Sequence, residues 1–186
     1  MDYSKHEVFA SLQAELIYII MRIVDGCGST DEERDYNRTM ILAYKTLWNQ
    51  FMKLINATCG GMSDSPTSWE DWILAESITR VGCVWFLVAQ VACVQIGISC
   101  SILDVWKDLQ LPCHKAQWAA SARLTWDEET RALRNMSKRG SDITCLGELV
   151  ECSRGADEPS NADRLDAWNA GTDSLGVLLS LCTTMM

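Results

Sequence analysis

The sequence predicts an all-α protein, with about seven or eight helices around a long apolar central helix. Apolar side chains recur at three- and four-residue spacing through nearly the whole chain, as they do on one face of an α-helix. Only three prolines and eleven glycines interrupt 186 residues, and no stretch shows the strong alternation of a half-buried strand. The sequence therefore predicts one helical domain: a helical hairpin at 1–60, a motif-bearing core at 61–153, and a linker with C-terminal helices at 154–186.

The first two helices are predicted from their start and stop signals. Ser4 with Glu7, and Thr30 with Glu33, have the spacing of a capping box, in which both side chains accept hydrogen bonds from backbone N–H groups. Gly26 follows the first apolar stripe and is expected to end that helix. The second helix should be about 27 residues, or roughly 40 Å, long. A short turn between the two favours an antiparallel hairpin.

A long uncharged segment follows. Ser68 is expected to cap a third helix, and residues 81–103 contain no charged side chain, which is long enough to cross a bilayer. Two glutamines near the middle, Gln90 and Gln95, would be costly within lipid. We therefore favour a helix buried among other helices. A single-span membrane protein that uses residues 81–103 is the alternative.

The rest of the chain carries shorter helix signals. Pro112 predicts an extended or turn segment. Thr125 is expected to cap a helix with acidic residues first and basic residues last, the order that matches the helix dipole. The later elements expected are a short helix over 142–152, a polar linker over 154–162, and a final helical stretch over 163–184 that breaks at Gly171 and restarts at Thr172 or Asp173.

Charge and motif content argue against nucleic-acid binding and catalysis. Lys plus Arg number 16 against 25 Asp plus Glu, the net charge is −9, and the longest basic run is Lys138–Arg139. Because duplex binding depends on basic side chains that contact phosphates, we expect no direct binding of nucleic acid. No glycine-rich phosphate loop or Gly-x-Ser-x-Gly motif occurs, and adjacency of Cys113 and His114 does not by itself make a nucleophile. We expect no enzyme activity and no cofactor.

Nine cysteines are scattered along the chain without a Cys-x2-Cys pair. Closed zinc sites usually pair their ligands at that short spacing. Two pairs have the longer Cys-x6-Cys spacing, Cys93 with Cys100 and Cys145 with Cys152. Residues 1–7 are polar, unlike a secretory signal. We therefore expect no metal site, and interpret most cysteines as small buried apolar residues of a reduced intracellular protein.

Seven residues in the middle of the chain carry a family resemblance. They are Trp69, Trp72, Glu76, Arg80, Pro112, Trp118 and Trp126. A Trp-x-x-Trp start, an acidic and a basic residue four apart, a Leu-Pro segment and two later tryptophans resemble the fungal-specific transcription factor domain, the helical regulatory region of fungal zinc-cluster and zinc-finger activators. Segments 145–149, 165–170 and 173–176 are also similar to such proteins. Thr79 stands where that family usually has an arginine.

The resemblance implies a transcription regulator of fungal type that controls a biosynthetic gene cluster of secondary metabolism. Its expected location is the nucleus, with the cytoplasm as a second location. The zinc-cluster DNA-binding module does not occur in these residues, so the resemblance implies action through other transcription-related proteins, such as a DNA-binding partner, and response to a small-molecule effector. A small-molecule-binding helical protein with no transcriptional role is a further alternative. The seven residues are expected to be structural, with Glu76 and Arg80 forming a buried ion pair.

Overall fold

The computed structural model describes residues 4–26, 30–59, 68–96, 106–137 and 142–184. Within these ranges the chain forms eight α-helices and no strand, which confirms the predicted fold class. In chain order the helices are α1 (Lys5–Val24), α2 (Asp31–Cys59), α3 (Trp69–Ile96), α4 (Lys115–Trp118), α5 (Arg123–Ser137), α6 (Leu146–Arg154), α7 (Pro159–Gly171) and α8 (Ser174–Thr183).

The chain divides into two compact units. The first lies within residues 1–66 and 88–100, and the second within residues 67–87 and 101–186. This division differs from the single domain that the sequence predicts. The first part of α3 belongs to the second unit, because its side chains pack with those of the later helices.

The first unit is built on α1 and α2, which pack against each other as predicted for a hairpin. The rings of Phe9 and Phe51 stack with their centroids 5.6 Å apart. The buried apolar side chains on these two helices are Phe9, Leu12, Leu16, Ile19, Tyr44, Phe51 and Ile55.

Both predicted capping boxes are present. The hydroxyl of Ser4 accepts from the backbone N–H of Glu7 at 3.3 Å, while the Glu7 carboxylate accepts from the Ser4 N–H at 2.8 Å. Thr30 and Glu33 exchange the same two bonds, each 3.2 Å long. Gly26 has φ +69°, a left-handed conformation that favours glycine, and it follows the end of α1 as predicted.

The core of the second unit joins α3, the extended segment at 109–112, α6 and α8. Phe86 on α3 is fully buried, and its ring meets that of Trp106 edge-on at 5.5 Å. The buried apolar cluster comprises Cys83, Phe86, Leu111, Ile143, Leu146, Leu149, Val150, Cys152 and Leu179.

Three predicted boundaries are wrong. The helix α5 begins at Arg123, so Thr125 lies inside its first turn and does not cap it. The Ala122 carbonyl accepts from the Trp126 N–H at 3.1 Å, which adds a turn before the expected start. The acidic residues therefore do not occupy the first turn.

The helix expected over 142–152 is α6, which begins only at Leu146. Residues 142–145 are extended because their backbone groups bond to another segment: the Leu111 N–H donates to the Thr144 carbonyl at 3.0 Å, and Leu146 N–H donates to the Leu109 carbonyl at 2.9 Å. The linker expected over 154–162 is also wrong, because Pro159 is the first residue of α7.

The predicted break in the final helical stretch is confirmed. Helix α7 ends at Gly171 and α8 starts at Ser174. The Asp173 carboxylate caps α8 by accepting from the N–H groups of Leu175 and Gly176, at 3.0 and 3.4 Å.

The apolar run at 81–103 forms the second part of α3 as far as Ile96, and its remaining residues lie outside the described ranges. Buried side chains on this part include Cys83, Trp85 and Phe86. Residues Trp69–Ala92 are long and apolar enough to cross a membrane on length and composition alone.

Candidate functional site

The seven residues of the family resemblance all lie in the second unit. Trp69, Trp72, Glu76 and Arg80 are three or four positions apart on α3, so they share one face of that helix. The other three follow in the extended segment before α4, at the last residue of α4, and on α5. Direct contacts join this α3 face to all three of these later segments.

Arg80 is at the centre of these contacts. Its guanidinium forms an ion pair with Glu76, with Nη1 3.4 Å from Oε1, and a second, closer pair with Asp173. The side chains of Arg80 and Glu76 are 16% and 7% exposed, so the predicted buried ion pair is confirmed. The guanidinium carbon also lies 4.5 Å from the centre of the Trp118 ring, a cation–π contact. One arginine therefore links α3, α4 and the start of α8.

Glu76 connects this arginine to the extended segment. Its Oε1 accepts from the backbone N–H of Cys113 at 3.1 Å, immediately after the buried Pro112. Burial raises the pKa of Glu76, and the hydrogen bond from Cys113 and the charge of Arg80 offset only part of that increase. The charged form of Glu76 is thus only partly compensated by its neighbours.

Asp173 responds in the opposite direction. Burial alone would raise its pKa, but the hydrogen bond and charge of Arg80, with two backbone N–H donors at the start of α8, lower it overall. The pKa values of the two carboxyl groups shift in opposite directions because Glu76 is more deeply buried, whereas Asp173 has the closer contact with the guanidinium and accepts two backbone N–H bonds. Arg80 therefore stabilises the charged form of Asp173 more effectively than that of Glu76.

Three tryptophans form an aromatic cluster beside Arg80. The ring of Trp72 lies 6.4 Å from that of Trp118 and 5.3 Å from that of Trp126. In the part of the chain that the structure describes, the buried indole N–H groups of Trp69 and Trp126 have no hydrogen-bond partner. Packing of tilted rings is thus the contribution that the cluster makes to the fold. Arg80 occupies one face of Trp118, which an open ligand cage would need free.

Cys113 and His114 do not form a nucleophile and base pair. The Cys113 thiol lies 3.6 Å from the backbone carbonyl of His114, and the imidazole Nδ1 accepts from the Ala116 N–H as the cap of α4. Burial, together with the nearby Glu76 charge, raises the pKa of the Cys113 thiol. A protonated thiol is a poorer nucleophile than a thiolate.

Five cysteines whose side chains the structure describes are free thiols. Cys145 and Cys152, one of the Cys-x6-Cys pairs, are both free, as are Cys83, Cys113 and Cys182. Burial raises the pKa of Cys83 to about 12. Among the residues that the structure covers, no group of three or more His, Cys, Asp or Glu is arranged to hold a metal ion. The other predicted pair, Cys93 and Cys100, lies outside the described side chains.

Comparison with known proteins adds no relative. No protein-family model matches the chain, and no curated protein or solved structure matches it. The resemblance to the fungal-specific transcription factor domain therefore depends on the motif residues and stays a hypothesis.

Sequence reasoning missed the role of Asp173. Its position before Ser174-Leu175-Gly176 predicts only a helix cap, which the structure confirms. Its ion pair with Arg80 joins residues 93 positions apart. No local spacing encodes a contact over that distance, so the sequence offered no signal beyond an acidic residue at a helix start.

Proposed function

We propose that this chain is a transcription regulator of fungal type, a helical regulatory module that acts through protein contacts and controls a biosynthetic gene cluster. Nuclear location, a DNA-binding partner and a small-molecule effector belong to the same proposal. The residues of the Arg80 network act in it as structural supports, and we propose no catalytic role for any of them.

The convergence of the motif residues is the observation that carries this proposal. Residues chosen only for their resemblance to a family pattern are joined by direct contacts: Glu76 and Trp118 contact Arg80, and Trp72 and Trp126 contact each other. A chance resemblance gives no reason for such distant residues to meet in space. Their convergence supports the interpretation that the pattern specifies a fold element typical of that regulatory domain.

Action through protein contacts is supported by charge. The net charge of −9 opposes the phosphate backbone of nucleic acid, and the sequence carries no zinc-cluster module. In this proposal the residues 1–186 contact a second protein rather than DNA.

A reporter assay tests the proposal. We expect the chain, fused to a foreign DNA-binding module, to change the output of a reporter gene relative to the module alone. An Arg80→Ala fusion should lose most of this effect, because that substitution removes the ion pairs of the buried network. An Arg131→Ala fusion, altered at an exposed position of α5, should keep it. Immunoblotting for equal abundance is the control, and a wild-type fusion that performs like the module alone would contradict an active regulator.

A single-span membrane protein is the second candidate, favoured by the length and composition of Trp69–Ala92. That span includes Glu76 and Arg80, whose partners Cys113 and Asp173 come from other segments of the same unit. Charged groups inside lipid are costly, and insertion of this helix would separate them from those partners. A high-pH carbonate wash should leave the protein in the supernatant, whereas retention in the pellet until detergent is added would favour the membrane candidate.

A further inference from the structure

Helix α8 has an apolar face that solvent reaches. Val177, Leu178 and Leu181 are 47%, 51% and 57% exposed, whereas Leu179 on another side of the helix is fully buried. No residue of α8 is charged. A helix that is apolar on all sides is normally buried on all sides, so the solvent exposure of these three side chains is unusual.

The C-terminal part of the chain, which carries this apolar face, is acidic. Residues 142–184 contain eight Asp or Glu against two Arg, a net charge of −6 out of the −9 of the whole chain. The last turn of α7 touches α8, because the Trp168 indole N–H donates to the Ser180 hydroxyl at 3.0 Å and that hydroxyl lies 3.4 Å from the Asn169 Oδ1. Asp166 is exposed and precedes Asn169 by three residues, so it lies on the same side of α7.

We propose that the α8 face, defined by Val177, Leu178 and Leu181, is the docking site for an amphipathic helix of a partner protein. The partner helix has aliphatic side chains on one face and Lys or Arg along the flanks of that face. This inference rests on the proposed function, in which the chain acts through protein contacts, and it names the chemistry of the partner.

Charge selects this occupant over two others. A second copy of the chain would bring a second C-terminal part of net charge −6 against the first, and like charges across an interface oppose association. An anionic membrane surface would be repelled in the same way. A basic helix instead places its cations against the carboxylates of α7 while its aliphatic residues cover the α8 face, the usual geometry of helix recognition by an apolar surface.

A peptide-binding experiment with the purified full chain tests the proposal. The probe is a fluorescein-labelled synthetic helix of about 18 residues, roughly five turns, with leucines on one face and lysines on its flanks. A second peptide has glutamate in place of every lysine. Fluorescence anisotropy at low salt should show micromolar binding of the lysine peptide and no binding of the glutamate peptide.

Matched variants locate the site. Leu181→Ser should weaken binding of the lysine peptide by about tenfold, because it removes a buried leucine contact from the complex. Ile17→Ser is its control, since Ile17 is an equally exposed aliphatic residue at 58%, on α1. Asp163 is exposed on α7, three residues before Asp166. Asp163→Asn with Asp166→Asn should weaken binding severalfold at low salt and have little effect at about 0.5 M salt. Circular dichroism checks that each variant is folded.

Several outcomes would overturn the proposal. They are equal binding of both peptides, equal binding by the wild type and Leu181→Ser, a dimer in sedimentation that Leu181→Ser dissociates, and binding to phosphatidylserine vesicles that the same variant abolishes. Absence of any lysine-peptide binding at about 100 μM would also reject it, since the affinity would then be weaker than a specific helix contact gives. The assay contains no reporter gene, so its failure leaves the fusion result, and with it the proposed function, independently tested.

Discussion

Replacing Arg80 by alanine removes the cation that pairs with two carboxylates in the second unit. Glu76 and Asp173 are 7% and 24% exposed, so both would keep a charge in a partly or fully desolvated place. Removal of one partner from a buried ion pair costs roughly 3–5 kcal/mol, because the remaining charge is uncompensated. The lost cation–π contact with Trp118 adds about 0.5–1 kcal/mol. We expect Arg80→Ala to lower the free energy of unfolding by about 4 kcal/mol.

Thermal unfolding followed by circular dichroism measures this loss. For a chain of this size each kcal/mol shifts the Tm by about 2–4 °C, so Arg80→Ala should lower the Tm by about 10 °C. Arg131→Ala is the matched control: Arg131 is exposed on α5, and substitutions at such positions change stability by about 0.5 kcal/mol at most.

The pH dependence of the same comparison tests its cause. Without the guanidinium, the folded-state pKa values of both Glu76 and Asp173 rise. A carboxyl group with a raised folded-state pKa contributes stability that is present below its unfolded pKa and is lost as the pH rises through the folded value. The Tm difference between Arg80→Ala and the wild type should therefore shrink as the pH falls from neutral toward 4.5, the ordinary pKa of Glu76.

Two results would refute this reasoning. Equal small Tm shifts for Arg80→Ala and Arg131→Ala would show that Arg80 behaves as a surface residue. A large Tm shift that does not change with pH would show that lost packing, rather than uncompensated charge, causes the instability.

Three further predictions concern neighbouring features. Glu76→Gln keeps an acceptor for the Cys113 N–H and removes a carboxyl group whose pKa is raised by burial, so its unfolding free energy at neutral pH should stay within about 1 kcal/mol of the wild type. The wild type alone should gain relative stability as the pH falls toward 4.5. A severe loss for Glu76→Gln at neutral pH in urea unfolding would contradict this. Gly176→Ala would place its Cβ 1.6 Å from the Thr172 hydroxyl and 2.7 Å from the Thr172 Cβ, so the Tm should fall by several degrees at a cost of about 1–3 kcal/mol. Ser174→Ala, at the exposed first position of α8, is the control and should change the Tm little. A higher Tm for Gly176→Ala would mean that helix propensity outweighs the clash. Metal analysis of the purified chain should show far less than one zinc per chain, and gel shifts at physiological salt should show no duplex complex at micromolar protein; stoichiometric zinc or a salt-sensitive shift would reject that expectation.

Part of the candidate site could be predicted from the sequence. Glu76 and Arg80 are four residues apart on one helix, a spacing that brings side chains together whatever the rest of the fold does. Their burial was inferred from apolar neighbours and from the family resemblance, and the structure confirms it. The contacts to Cys113 and Asp173 could not be predicted, because they join segments whose packing no local pattern specifies.

The sequence by itself determined the helical class and the ends of helices that use local hydrogen bonds. The capping boxes at Ser4 and Thr30, the glycine after α1 and the cap at Asp173 all depend on groups a few residues apart. Tertiary structure decided where other helices begin and how the chain divides into units. Residues 142–145 are extended because their backbone pairs with 109–111, a competing set of hydrogen bonds that only the folded chain supplies. Helix periodicity depends on the side chains of one segment only. These helix boundaries depend on hydrogen bonds to backbone groups that are distant in the sequence.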